Sequence, residues 1–333
     1  MTRKFMVKIG LLLLLLSFII LLFSINISCK LGNLNKNTLN ATEVIQYMSK
    51  HGIIEYPSKW QETLYDTKQG KYIRTISELN HTLQQGNDHS WAVSSLKKIE
   101  NINYPSITEV QHVKILNVPS FYSNNTKKRT KYINILRRKV ILLSNQKNLV
   151  LNFSNNFGGD PLPMIAGLAD LIPKGPLWLD VDNKGHSHTV IRGKTDIHGG
   201  LSRASEKIPT PQKSINFKKI ILVSNNRTAS AAEVTLIALK RNANTKIIGR
   251  PTAGLTSINN TLKIGCNNAA AVITVGTIIS FTPIHGQTHF NNDPIVPDVT
   301  TLYPPISPTK GSAYTAQQPL DADFVAELVP YVQ

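Results

Sequence analysis

The spacing of hydrophobic positions changes along this chain, and each change predicts a different kind of element. From Ile9 to about Ile27 the apolar run is almost unbroken. That is close to the roughly twenty residues that cross a hydrocarbon layer as a helix. Between Thr42 and Leu83 the apolar side chains recur at helical steps, with Val44, Ile45 and Met48 followed by Ile73, Ile76, Leu79 and Leu83. This period predicts a small helical region. Beyond it, short runs of strand type take over. Val113 to Val118 alternates, Asn148 to Phe153 and Ile220 to Val223 are continuous, and Lys246 to Gly249 is a further short run. Helical segments separate them. Lys127 to Leu143 carries an apolar stripe of Ile135, Leu136, Val140 and Leu143, and further helices are predicted over 162–171 and 229–240. Trp178 to Arg192, interrupted by Asn183-Lys184-Gly185, reads as a hairpin, and Ala269 to Phe281 as β-type chain. The Pro-rich tail has no clear pattern. Strands alternating with helices imply an α/β core behind an N-terminal helical region.

Composition sharpens this outline. Arg3, Lys4 and Lys8 precede the first apolar run, which places the N-terminus in the cytoplasm and the remainder outside if the run is an uncleaved anchor. A cleaved signal peptide is the competing reading, and Cys29 allows a third, lipoprotein processing. In each case the catalytic part is expected to be extracytoplasmic. Leu31 to Asn40 is polar and turn-prone, a short linker. The only cysteines, Cys29 and Cys266, stand at the membrane edge and deep in the domain, so no structural disulfide is expected. The formal net charge of +17 suits an anionic membrane or wall surface. The basic run from Lys127 to Lys139 would fit nucleic acid or anionic lipid. Because an apolar stripe is present, the basic run reads instead as the solvated face of a core-packed helix, and no nucleic-acid partner is expected. His186 and His188 could share a strand face as metal ligands, yet they flank a hairpin tip without a carboxylate cluster, so neither a metal nor a cofactor is expected.

The candidate chemistry lies in the segments between strands and helices. Thr228-Ala229-Ser230-Ala231-Ala232-Glu233 follows the strand Ile220–Val223 and opens a helix. It sets a hydroxyl at a helix N-terminus, where free N–H groups and the dipole favour developing negative charge. Ser230 is either a helix cap or a nucleophile. Asn155-Asn156-Phe157-Gly158-Gly159 ends another strand, and its paired glycines let backbone N–H groups point into a cleft, as an oxyanion hole requires. His89, in Asn87-Asp88-His89-Ser90 before Trp91-Ala92-Val93, is the histidine best placed to be a general base. Gly249 to Ser257 is a glycine-punctuated loop suited to lining a peptide groove.

Taken in order, these segments resemble the tail-specific (C-terminal processing) protease family. The carriers are Asp88-His89-Ser90, Val118-Pro119-Ser120-Phe121, Leu151 through Gly159, Thr228 through Glu233, Gly249 through Gly254, and Pro294-Ile295-Val296-Pro297-Asp298. The resemblance spans residues 87–298. It implies a core of crotonase- and ClpP-like strand-helix units with added β segments. The corresponding divisions are an anchor or signal over 1–30, a helical region over 31–105 ending in the Asp-His-Ser motif, and a protease core over 106–333. A hairpin or cap insertion is expected near 175–215.

Two departures refine the resemblance. Many members pair the serine with a lysine at the position that is Leu255 here, and Arg241 stands where a polar or acidic residue is expected, which leaves His89 as the base. The stretch between His89 and Val113 is too short for the PDZ domain that many relatives carry. A membrane-anchored, PDZ-free member with a serine–histidine pair is similar to the nisin resistance group, whose members clip a short C-terminal piece from a lanthionine-bridged antimicrobial peptide. The resemblance thus implies a monomeric serine peptidase acting near peptide C-termini, with Ser230 as nucleophile and His89 as base. Ala231 with Gly158 or Gly159 would form the oxyanion hole, and Asp160, Thr252, Gly254 and Asn260 the substrate groove. Asp160-Pro161 and Asn260 depart from the group's peptide-contacting positions. Asp293 is a candidate to orient His89, whereas Asp88, as a strand neighbour, would point away. A catalytically degenerate peptide binder and a general envelope-processing protease are the competing functions.

Overall fold

The computed structural model describes residues 41–68, 73–95, 100–210, 215–264, 269–306 and 319–332. The expected anchor, the linker over 31–40, Cys29 and Cys266 lie outside the described residues. Among the described residues no helix is long and apolar enough to cross a membrane. The chain divides into two compact units. One comprises Met1–Tyr47, Glu55–Lys98 and Thr261–Val272; the other comprises Met48–Ile54, Ile99–Asn260 and Ile273–Gln333.

The first unit contains most of helix α1 (Ala41–His51), then α2 (Pro57–Lys68), α3 (Ile76–Gln84) and strand β1 (Trp91–Val93). The expected helical region is therefore present as separate short helices. Val44, Ile45, Trp60, Leu79 and Leu83 are among its buried side chains. α3 begins at a capping box: Glu78 N–H donates to Thr75 Oγ1 at 3.1 Å and Thr75 N–H to Glu78 Oε2 at 3.0 Å. β1 pairs antiparallel with residues 270–272, Trp91 lying opposite Val272. The Asn80 amide brackets Ala92, donating to its carbonyl and accepting from its N–H.

In the second unit the chain runs through β2 (Asn101–Ile102), β3 (Ser106–Val110), β4 (Val113–Asn117), β5 (Phe121–Tyr122), α4 (Thr126–Leu142), β6 (Asn148–Asn152) and α5 (Pro161–Gly167). It continues through β7 (Gly175–Asp182), β8 (Ser187–Arg192), β9 (Asp196–Gly199) and β10 (Ala204–Lys207). Next come β11 (Lys219–Ser224), α6 (Ala231–Leu239), β12 (Thr245–Gly249), β13 (Ser257–Ile264) and β14 (Ala269–Ile284), the last two shared with the first unit. β15 (Gln287–Phe290), β16 (Val299–Thr300) and α7 (Ala322–Val332) complete it.

The central sheet has the order β16-β12-β11-β6-β4-β3. All neighbours are parallel except β3, which runs antiparallel to β4 at one edge. Its continuous apolar strands are explained by burial of both faces. Leu116, Leu149, Leu151, Ile220, Leu222 and Ile247 join the core that α4, α5 and α6 cover. The alternate positions Ile115, Val150, Ile221, Val223 and Ile248 pack with Phe324, Val325 and Leu328 of α7. Each such side chain contributes about 1.5–3 kcal/mol relative to exposure. The tail thus holds a helix that the sequence pattern did not reveal, because Pro330 lies inside it. Asn148 Nδ2 and Lys219 Nζ donate to the carbonyls of Val332 and Tyr331, satisfying its last turn.

The stripe of α4 differs from expectation. Tyr132, Ile133, Leu136 and Val140 are its buried positions, while Ile135 is only half-buried. The helix expected over 162–171 ends at Gly167 and continues as a 3-10 turn, Ala169–Leu171. The 178–192 hairpin is the start of a larger antiparallel sheet, in which β14 from Ile273 onward, β7, β8, β9 and β10 follow in order.

Candidate active site

The parallel register of β6, β11 and β12, with Leu222 opposite both Leu151 and Ile247, brings their C-terminal ends to one edge. Residues 153–160, 225–230 and 250–256 all leave the sheet there. In open parallel sheets this edge is where ligands bind.

Ser230 takes the N-cap position of α6 with φ +53° and ψ −120°. A non-glycine residue in such a region costs of order 1–3 kcal/mol and persists only where its surroundings impose it. Several neighbours do so. Ala229 N–H donates to Asn156 O at 2.9 Å, and Ser230 N–H donates to Glu233 Oε2 at 2.8 Å. On the remaining side lies Gly158, at φ +95°, where an added Cβ would fall 2.7 Å from Ser230 Cβ and 2.8 Å from Ala229 O. A glycine is required there by space as well as by backbone angle. Ala231 N–H belongs to the first turn of α6 and has no acceptor within the helix.

Asn156 shapes the glycine loop. Its buried amide donates to Val118 O at 2.8 Å, while Oδ1 accepts from Ser120 Oγ at 3.1 Å and from Gly158 N–H at 2.9 Å. Ser120 Oγ in turn accepts from Phe157 N–H at 2.7 Å. The two glycines therefore differ. The Gly158 N–H is already donated to Asn156. Gly159 sits against the Phe121 backbone, where Phe121 N–H donates to Gly158 O and Asp160 N–H to Phe121 O, so the Gly159 N–H takes no part in that bridge.

Glu233 is the hub on the opposite side. It is fully buried, and its carboxylate accepts four hydrogen bonds, from Ser230 N–H, Leu255 N–H and Gly254 N–H at 2.8 Å each and from Thr252 Oγ1. Burial pushes its carboxyl pKa up, and the four donors work against that shift. Thr252 Oγ1 also accepts from Ile295 N–H at 2.8 Å, tying in the Pro294–Asp298 segment. Asp298 at its end accepts from Ile247 N–H at 2.6 Å and pairs with Lys240 at 3.0 Å, a structural use. The roles of Glu233, Asn156 and Ser120 were not drawn from the sequence. The Ser-x-x-Glu spacing of a capping box was the available signal for Glu233.

The expected groove residues fall into different settings. Thr252 is buried and Gly254, at φ +80°, is held through its N–H; both serve the Glu233 hub. Asp160 caps α5 through Leu162 N–H at 2.9 Å and pairs with Arg129, which also reaches Glu206. Asn260 is half-buried on β13. Leu255 is 37% exposed and Phe157 49%, so apolar side chains project from both loops that flank Ser230. Arg241 donates to Pro176 O.

His89 belongs to the first unit, in a turn just before β1. The turn is set by buried Asn87, whose Oδ1 accepts from His89 N–H at 2.8 Å and from Ser90 Oγ at 3.3 Å. The Nδ1 of His89 is buried without a hydrogen-bond partner among the described residues. Strand alternation does not decide the role of Asp88, because Asp88 and His89 both precede the strand. Asp88 is engaged otherwise, accepting from Tyr56 OH at 2.6 Å. Asp293 is exposed in the second unit.

Replacing Gly158 with alanine is expected to cost about 2–4 kcal/mol of stability through overpacking and a left-handed backbone together. Peptide cleavage should fall at least about a hundredfold, since a 1 Å displacement at the serine is enough for that. A melting curve and a kcat/KM measurement on the same protein check both effects.

The local geometry agrees with what the chain resembles. Against the Nisin-resistance protein of Lactococcus lactis subsp. lactis it is 28% identical over 271 residues, covering 77% of this chain and 81% of that one. Among solved structures, a lipoprotein from Streptococcus agalactiae superposes with a TM-score of 0.63 at 25% identity, covering 79% of this chain and 91% of that chain. Residues 112–301, more than half of the chain and including the Asn156–Gly159 loop, Ser230 and Glu233, match peptidase family S41. The chain belongs to peptidase family S41 and is a serine peptidase.

Proposed function

We propose that the protein is an extracytoplasmic peptidase that removes a short C-terminal piece from a nisin-like, lanthionine-bridged peptide, with Ser230 as nucleophile and His89 as general base. The observation that carries the reading is the strained Ser230 backbone at the N-terminus of α6, packed against Gly158 with the first-turn N–H of Ala231 beside it. In this scheme Ser230 Oγ attacks the scissile carbonyl carbon while His89 accepts its proton. The oxyanion is held by Ala231 N–H and Gly159 N–H, since the Gly158 N–H is occupied by Asn156. Each donor contributes about 3 kcal/mol to the barrier reduction. His89 then returns the proton to the departing amine, and water hydrolyses the acyl-enzyme by the same exchange.

The substrate class is supported by the Lactococcus relative, and a place in the cell envelope by that protein and by the streptococcal lipoprotein. The apolar run from Ile9 to Ile27 would serve as the anchor. Incubating full-length protein with nisin and with linear peptides, followed by mass spectrometry, tests the reading. The expected result is loss of a few C-terminal residues from nisin, with linear peptides cut far more slowly. Indifferent trimming of linear tails would replace it with general envelope processing. Intact peptides together with no labelling of Ser230 by a fluorophosphonate would replace it with a peptide-binding relative.

A further inference from the structure

A cavity of about 630 Å³ opens at the same edge of the central sheet, lined by Asn155, Asn225, Arg227, Arg250, Thr252 and Pro304, among others. Every lining segment follows the C-terminal end of a parallel strand. Asn155 comes after β6, Asn225 to Arg227 after β11, Arg250 to Thr252 after β12, and Pro304 after β16. Two arginines and several amides face the space, and among the described residues no carboxylate lines it. One donor there lacks a partner. Asn155 is 2% exposed at φ +57°, and its N–H donates to Asn225 Oδ1 at 3.0 Å while its Oδ1 accepts from Asn225 Nδ2 at 2.9 Å. That leaves Asn155 Nδ2 buried with no acceptor among the described residues. A buried amide donor without an acceptor is costly, and an anion would supply one. Arg250 donates to Leu302 O at 2.6 Å through Nη2, which leaves further guanidinium donors. Arg227 lies over the Phe157 ring with its Cζ 5.5 Å from the centroid.

We propose that this cavity binds the C-terminal carboxylate of the peptide substrate. A planar carboxylate is the anion that an arginine fork and an adjacent amide N–H match best. The lining is tied to the serine through its framework. Arg227 precedes Ser230 by one short turn, and Thr252 shares the Glu233 carboxylate with Ser230 N–H. A peptide whose end is seated here presents a bond at a fixed distance from that end, so the cavity sets where the chain is cut. This inference rests on the peptidase reading above for its ligand, but its test reads binding rather than turnover.

The test uses the full chain carrying Ser230→Ala and a fluorescent linear peptide, once with a free C-terminal carboxylate and once amidated. Anisotropy is expected to give at least about tenfold tighter binding of the acid, the size expected for a hydrogen-bonded charge. Inorganic phosphate should weaken binding of the acid and leave the amide unaffected, a comparison that needs no change in the cavity. Arg250→Gln and Arg227→Gln should each shrink the acid-to-amide ratio, and Asn155→Ala should do so without changing any charge. Equal binding of acid and amide overturns the proposal, as does a phosphate effect that is the same for both. Selective binding of the acid by a protein that cuts nothing with Ser230 restored would uphold the cavity and sink the peptidase reading alone.

Discussion

Replacing Glu233 with alanine should destabilise the protein strongly. Four donors converge on this carboxylate, and the truncation strands all of them in a buried space. Each unsatisfied buried donor costs about 1–3 kcal/mol, and allowing for a water entering the gap the loss should be at least about 3 kcal/mol. Glu233→Gln is the finer probe. It keeps the shape but sets an NH₂ group against N–H donors, so it should still lose about 1–3 kcal/mol. Glu233→Ala releases Ser230 N–H and the 252–255 loop at once, while Glu233→Gln leaves one oxygen for one of the two donor pairs, so in both kcat/KM should fall by more than the stability change alone explains. Denaturant melts and residual peptidase activity at a temperature where both variants remain folded separate the two effects. A Glu233→Gln protein with wild-type stability and activity would remove Glu233 from the site's support.

Ser230 carries the second large effect, and two substitutions divide its chemistry from its strain. Ser230→Ala removes the proposed nucleophile and should reduce kcat by about a millionfold, to what binding and the oxyanion donors alone supply. Its backbone remains at φ +53°, so the strain stays. Ser230→Gly should be equally inactive yet about 1 kcal/mol more stable than Ser230→Ala, because glycine occupies that region without the Cβ clash. His89→Ala should match the loss of Ser230→Ala within about tenfold if the two act as a unit, since such losses do not add. Retention of peptide cleavage by either alanine variant at the wild-type rate would end the serine–histidine assignment.

Much of this was legible from spacing. Of the strands that build the sheet edge, β6 and β11 stand out as apolar runs ending in Asn152 and Ser224, and the glycine pair and the Thr-Ala-Ser turn come a few residues after them. What spacing could not supply was the division of labour inside the motifs. Gly158 and Gly159 look alike in sequence, but one packs on the serine and the other on Phe121. Thr252 and Asp160 read as groove residues, yet their side chains are committed to a hub and to a helix cap. The roles of Thr252 and the two glycines depend on partners far away in the chain, of which a local pattern carries no information, whereas the Asp160 cap is local, made with Leu162 two residues on. Helix α7 was missed for a different reason. Its apolar positions Phe324, Val325 and Leu328 have helical spacing, but the proline-rich surroundings and Pro330 read as a breaker.

Helix α7 also fixes the order in which the molecule can be completed. One face of the central sheet stays bare until Phe324, Val325 and Leu328 have been synthesised and have come back to Ile115, Val150 and Ile221. Contacts of such long sequence separation form slowly, because the closure entropy precedes the gain. The strained Ser230 backbone needs a finished scaffold to hold it. Until that last helix docks, the chain lacks the cover on one face of the sheet whose strand β11 leads into Ser230.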